Sequence, residues 1–250
     1  VPGWTDDHEW RGFIPFEEMP QAANPASHFI ITANNKIVDD AYPHYLGVDP
    51  SPGYRYARIL ERLAPMQNAT ADDFASLQAD RLSIAARELV PHLLKVPPAD
   101  EFARRALEHL RGWDFRMEPE SIAATIYAAT IDALMHLLLL PMMGEEMTFA
   151  MLSGAYGASR HASRLRYHLP VFIQANDTRL LNPADPQRAS WLATLTAALR
   201  DATAQLRETL GADMSQWQWS RLHRTAPTHP LSALADIGAR FDPPSAPYGG

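Results

Sequence analysis

The sequence predicts a mainly α protein with a few short strands near its ends. Apolar residues recur at helical spacing through most of residues 53–211. Short β-branched and aromatic runs lie outside that stretch, and the first 56 residues are rich in Pro, Asn, Trp and Tyr. The expected organisation is an irregular segment with a strand over 1–56, a helical region over 57–211, and a second irregular segment over 212–250.

The first segment opens with "GFIPFEEMP" at 12–20, whose prolines forbid a regular helix. Phe29-Ile30-Ile31-Thr32 then reads as a short buried strand, by its β-branched and aromatic content. Ala33, Asn34 and Asn35 follow, with no glycine. Asn tolerates left-handed backbone and bonds its own chain, so the pair fits a turn. A side-chain NH2 aimed outward from a strand end fits equally, and the residue types alone leave both readings open.

Helical periodicity runs through "TADDFASLQADRLSIAARELVPHLLKV". Thr70 is its expected N-cap, with Asp73 three residues on in a near capping box. Pro91 should kink or end this run, and Pro97-Pro98 should end it firmly. A second helix is expected over 99–112 before Gly112, a third over about 119–140 with Pro119 at its start, and another within 144–165. A strong amphipathic helix is expected from about 185 to 210, closed by Gly211. The Leu, Ala and Met stripes of these helices read as core. No fixed-period repeat supports a solenoid.

Bulk properties exclude several function classes. The 250 residues are 46% hydrophobic and 20% charged, an ordinary globular composition. Net charge is −7, from 22 basic and 29 acidic residues, with the basic ones scattered. Phosphate backbones need a concentrated basic face, so nucleic acid is not an expected partner. The absence of cysteine removes disulfides, thiolate metal sites and a cysteine nucleophile. The most apolar run, "IDALMHLLLLPMM" at 131–143, falls short of the roughly 20 residues a spanning helix needs, and no membrane is expected. The chain starts Val-Pro-Gly and finishes in "PPSAPYGG", and reads as a piece of something longer.

Ten histidines invite a metal hypothesis that their spacing does not support. His161 and His168 can share a helical face, but no carboxylate completes a site at i±3 or i±4, and H-E-x-x-H is absent. His223 and His229 flank "RTAPT" on irregular chain. There is no G-x-S-x-G elbow and no glycine-rich phosphate loop. Glu17-Glu18 and Asp6-Asp7-His8-Glu9 read as solvated turns.

One ordered set of features stands out: "EWRGFIPFEEMPQAANPASHFIITANN", then "YRYARILERL", and near the far end "WQWSRLHRTAPTHPL". Together they resemble the β-chain of the penicillin acylase family, which includes penicillin amidases and acyl-homoserine-lactone acylases. The resemblance rests on Trp10, Gly12, Pro15, Pro20, Asn24-Pro25, the strand, Asn34-Asn35, Arg55/Arg58 and the Trp, Leu-His and His-Pro-Leu of the tail.

This resemblance implies an N-terminal-nucleophile hydrolase of αββα architecture, of which this piece is the helical middle region of the β-chain. The family's nucleophile is a serine exposed by autocatalytic cleavage, its own α-amine acting as base. Position 1 here is Val, so the nucleophile is expected upstream and the isolated chain is expected to be inert. Asn34 matches the asparagine whose side-chain NH2 forms part of the family's oxyanion hole. Asn35 is expected to be structural. Arg55 aligns with an arginine that orients the active site, with Arg58 the competing position.

Further implications concern metal, partners and setting. No cofactor is expected within this chain, whereas well-known members bind a structural calcium through an aspartate shortly after a Tyr-Pro. In "YPHYLGVDP" that place falls near Leu46, with Asp49 a little later. The implied partners are the rest of the precursor and a small acylated amide substrate, and the implied setting is periplasmic or extracellular. Unpaired strand edges favour association, so dimerisation through residues 1–40 is expected. The competing readings are a non-catalytic helical interaction scaffold and a His-based metallohydrolase.

Overall fold

Thr70 opens the helical part of the chain with the reciprocal cap its sequence predicts. Its Oγ1 accepts from the Asp73 amide at 3.3 Å, while Asp73 Oδ2 accepts from the Thr70 amide at 2.8 Å. The computed structural model describes residues 3–47, 50–153, 159–225, 227–234, 240–242 and 244–247. It divides into two units, residues 1–69 and 70–250.

In the larger unit, helix α2 spans Ala71–Gln78 and α3 spans Ile84–Leu93. The sequence predicts one run here, but the chain leaves the helix between them to pair with a later segment. Leu82 bridges Arg116, the Ser83 amide donates to Phe115 O at 2.9 Å, and the Met117 amide donates to Arg81 O at 2.9 Å. Ser83 then caps α3, accepting from the Ala86 amide at 3.2 Å. Pro91 is accommodated one turn from the end of α3, where one lost backbone bond costs little further helix.

Helix α4 (Glu101–Arg111) is capped by Asp100. Helix α5 (Ile122–Ser153) starts behind Ser121, whose Oγ accepts from the Ala124 amide. It breaks at Gly144, where φ is 77°, so its first arm ends close to the predicted limit at 140 and its second arm falls within the further helix predicted over 144–165. That left-handed angle is open to glycine at little cost. Pro141, which cannot donate within the preceding turn, adds to the break. Helix α6 spans Ser159–Gln174.

Helix α7 (Trp191–Leu210) begins at a Ser190 cap rather than near 185. Asn182 and Asp185 bond the amides of Ala184 and Gln187 and hold the Pro183–Pro186 stretch as turns. Gly211 closes α7 at φ 91°, its amide donating to Arg207 O at 3.0 Å. A short α8 (Trp219–Leu222) follows, then a two-residue antiparallel pair of β1 (Arg224–Thr225) and β2 (Ala246–Pro247).

The core is built around α5. It packs against α7, α6, α4 and α8, while α3 packs on α6 and α4 on α7. Ile126, Leu134, Met135 and Leu138 of α5 are fully buried, as are Leu195 and Leu199 of α7 and Leu110 of α4. Each such side chain contributes roughly 2 kcal/mol of transfer free energy. Trp217 is buried completely, stacks on Phe102 at 6.4 Å and donates its indole N–H to Gly211 O at 2.8 Å. Taken across the Gly144 break, the 32 residues of α5 are long and apolar enough to cross a bilayer by length and composition, unlike the shorter run seen in the sequence. Its most apolar window is 67% buried within the protein, as in a soluble core helix.

The smaller unit holds one α-helix among its described residues, α1 (Tyr54–Leu63), and is otherwise irregular, with short 3-10 turns at Asp6–His8 and Phe16–Glu18. The strand predicted at Phe29–Thr32 does not form. Ile30 is 61% exposed, Ala33 is the buried residue, and the strand-type pairing nearby is an isolated parallel bridge of Asn35 with Ser51. A strand exists through its partner, and β-propensity without one gives only extended chain. No strand ladder forms within residues 3–40 among the described residues. Large side chains stand exposed there instead, Trp4, Trp10, Phe13 and Phe16 among them.

Candidate active site

Two local features bring Asn34 to its position. The turn Asn24–His28, with Asn24 at φ 48° and His28 at φ 60°, is closed by the His28 amide donating to Pro25 O at 2.9 Å. It delivers the extended stretch that ends at Ala33. Asn34 then takes φ 59°, the left-handed region in which asparagine is the commonest residue after glycine. The Asn-Asn pair is thus a turn in its backbone, as one of the two sequence readings holds.

Its side chain does something further. Arg55, in the first turn of α1, donates through Nη2 to Asn34 Oδ1 at 2.8 Å and to Ala33 O at 2.8 Å. Guanidinium has donors and no acceptor, so the amide atom that it meets must be oxygen. The other end of the Asn34 amide, its NH2, is directed away from Arg55 and has no acceptor among the described residues. An exposed pair of N–H donors on a fixed backbone is thereby presented outward. Arg58, the competing arginine, instead pairs with Glu61 at 2.9 Å along α1.

The backbone of Asn34 is held as well. The Ser51 amide donates to Asn34 O at 2.6 Å. Asn35 Oδ1 accepts from the Ala33 amide at 3.1 Å, and Asn35 Nδ2 donates to Lys36 O at 2.9 Å. Ser51 was not visible as a site residue in the sequence, because nothing in its spacing relates it to Asn34. The connecting chain is tied down separately. Tyr42 donates its hydroxyl to Glu18 O at 2.8 Å, His44 pairs with the Glu18 carboxylate, and the two rings meet edge-on at 5.6 Å.

The other candidates do not assemble. No group of three His, Asp or Glu side chains converges among the described residues. His168 is exposed, and the His161 side chain lies outside the described residues. His223 stacks on Trp219 at 4.7 Å, and His229 Nδ1 accepts from the Leu231 amide at 3.1 Å, so both rings serve local structure. Asp6, Asp7, Glu9 and Glu17 lie on exposed turns. For calcium, the Leu46 side chain carries no ligand atom, and Asp49 lies outside the described residues.

Comparison with known proteins places this geometry in context. The family model for penicillin amidase matches residues 1–250. The chain is 33% identical over 256 residues to penicillin acylase 2 proenzyme of Pseudomonas sp. strain SE83, covering 100% of this chain and 31% of that protein. It is 26% identical over 269 residues to acyl-homoserine lactone acylase QuiP of Pseudomonas syringae pv. syringae strain B728a, covering 100% of this chain and 32% of that protein. The counterpart in P. syringae pv. tomato strain DC3000 is 26% identical over 89% of the chain and 28% of its own length. The chain therefore spans about a third of the length of these relatives.

Proposed function

The chain belongs to the penicillin amidase family, and we propose that the intact protein hydrolyses a linear amide through an N-terminal serine, with Asn34 as an oxyanion donor. The serine hydroxyl oxygen attacks the amide carbonyl carbon, its proton passing to the α-amine. The carbonyl π electrons move onto oxygen, and that oxyanion accepts from Asn34 Nδ2. Collapse of the adduct expels the amine, which takes the proton, and water then hydrolyses the acyl-enzyme. The serine lies in the part of the protein beyond this chain, so the chain alone is inert.

The observation that carries the reading is the Arg55 contact to Asn34 Oδ1 at 2.8 Å, which sets the amide with its NH2 outward. A neutral donor suits the task. It stabilises charge that develops in the transition state without attracting a carboxylate in the ground state. Arg55 acts as the positioning group. The acyl and amine groups are selected by segments beyond this chain. A structural calcium in the intact protein would take its side-chain ligands from residues other than Leu46.

The test uses the intact precursor with Asn34→Asp, which keeps size, left-handed tolerance and an oxygen for Arg55 but removes both N–H donors. Turnover of a panel of phenylacetyl and fatty-acyl amides should fall about a hundred- to thousand-fold, the range for loss of one oxyanion donor, with maturation intact. Turnover within threefold of wild type would end the oxyanion reading. The competing scaffold reading draws on the separate helical core of residues 70–250. It predicts the same unaffected turnover, together with a stable complex that assembles without Asn34.

A further inference from the structure

Asn34 is held by more than Arg55. Four bonds converge on the Ala33-Asn34 peptide and its neighbours, and each restrains a different atom. Arg55 Nη2 takes Ala33 O and Asn34 Oδ1, the Ser51 amide takes Asn34 O, and Asn35 Oδ1 reaches back to the Ala33 amide. The first three hold acceptors. Among the described residues, only the Asn35 bond engages a donor of this peptide stretch, and it closes a short ring across Asn34 itself. Ala33, 5% exposed, is the buried base of that ring.

The ring matters because of where Asn34 sits. At φ 59° a side chain with a Cβ lies in a narrow region, and release of the turn lets the residue relax to negative φ. Such a flip rotates the Cα–Cβ vector and carries the amide away from the Arg55 guanidinium. The bond from Ala33 N–H to Asn35 Oδ1 opposes that rotation, because it requires residues 33 and 35 to face each other across the turn. Asn35 Nδ2 donates to Lys36 O and fixes which end of its own amide faces back.

We infer that Asn35 is a positioning residue for catalysis, holding the Asn34 turn so that the Asn34 NH2 meets the developing oxyanion. The inference rests on the oxyanion reading of Asn34 and assigns Asn35 a role beyond turn structure. Ser51 is the second brace, acting through its backbone amide, which side-chain substitution leaves in place.

The experiment is a double-mutant cycle in the matured intact enzyme, with rates normalised to active sites titrated by acylation. Asn35→Ala deletes the acceptor and should lower kcat about tenfold with KM within twofold of wild type. Asn35→Asp keeps an acceptor for the Ala33 amide and should restore kcat to within threefold. Asn34→Asp combined with Asn35→Ala should be no slower than Asn34→Asp alone, because Asn35 acts through the donor already lost. A purely structural role would change maturation yield or melting temperature and leave kcat per active site unchanged. If Asn35→Ala fails to mature, Asn35→Ser, with its shorter reach, carries the test, and wild-type kcat in it overturns the proposal. Wild-type kcat in Asn35→Ala overturns the positioning role while a collapse in Asn34→Asp leaves the oxyanion reading intact. Unchanged turnover in Asn34→Asp removes both.

Discussion

Arg55 and Asn34 meet through one nitrogen and one oxygen, Nη2 to Oδ1 at 2.8 Å, and the same nitrogen reaches Ala33 O. The contact settles which end of an asparagine amide faces outward. Both residues are exposed in this chain, so the bond is worth about 1 kcal/mol, less than a buried charged bond. Arg55→Ala in the intact enzyme should therefore lower kcat about five- to tenfold by freeing the amide to rotate, with KM little changed. Arg58→Ala should leave kcat within twofold, since Arg58 pairs with Glu61 along α1. Equal losses in the two variants would show that the contact carries no special role.

Thr148 sits at the Gly144 break with an unsatisfied hydroxyl. Thr125, Thr130 and Thr194 each donate to the carbonyl four residues earlier, Thr130 to Ile126 O at 2.7 Å. For Thr148 that carbonyl belongs to Gly144, whose φ of 77° takes it out of the helix, and Thr148 Oγ1 is fully buried without a partner among the described residues. Leaving such a group unpaired costs about 1–3 kcal/mol. Thr148→Val should thus stabilise the 250-residue chain by about 1 kcal/mol in urea unfolding, whereas Thr130→Val should not. A destabilising Thr148→Val would refute this account.

Acid should weaken the helical unit through His109 and His92. Burial lowers the pKa of His109 from its ordinary value, with Arg105 adding to the effect and Glu108 opposing it. Burial followed by Lys95 does the same to His92. A folded pKa below the unfolded value of about 6.5 means that the unfolded chain takes up the proton first. Stability from this source is present above about pH 6.5 and is lost as pH falls through the folded pKa. Melting followed by circular dichroism from pH 7.5 to 5 should show that fall, and His109→Gln should flatten it. An identical slope in His109→Gln would argue against His109.

The aromatic surface of the smaller unit predicts self-association of the isolated chain. Trp10 is 86% and Phe13 is 91% exposed, with ring centroids 6.5 Å apart, and Trp4 is equally bare. Exposed apolar clusters of this kind mark surfaces that another chain covers. Sedimentation velocity at micromolar concentration should show association that Trp10→Ser with Phe13→Ser reduces, while helical content stays constant. A strictly monomeric wild-type chain would contradict it.

Much of the helical half was legible from the sequence. Thr70 with Asp73, Gly112 and Gly211 marked helix ends that the structure has, because caps and left-handed stops are local chemistry. The family resemblance was also in the sequence, since it rests on the order of residue types. Tertiary structure decided the rest. The predicted single helix over 70–96 became two because residues 81–83 pair with 115–117, a contact with no local signature. The predicted strand at 29–32 became unpaired chain because a strand needs a neighbour as well as a composition. Arg55 could be separated from Arg58 only in three dimensions: three residues apart on α1, one faces Asn34 and the other Glu61. The sequence named the residue types and their caps by itself. Which end of the Asn34 amide points outward was decided by a bond between residues 21 positions apart.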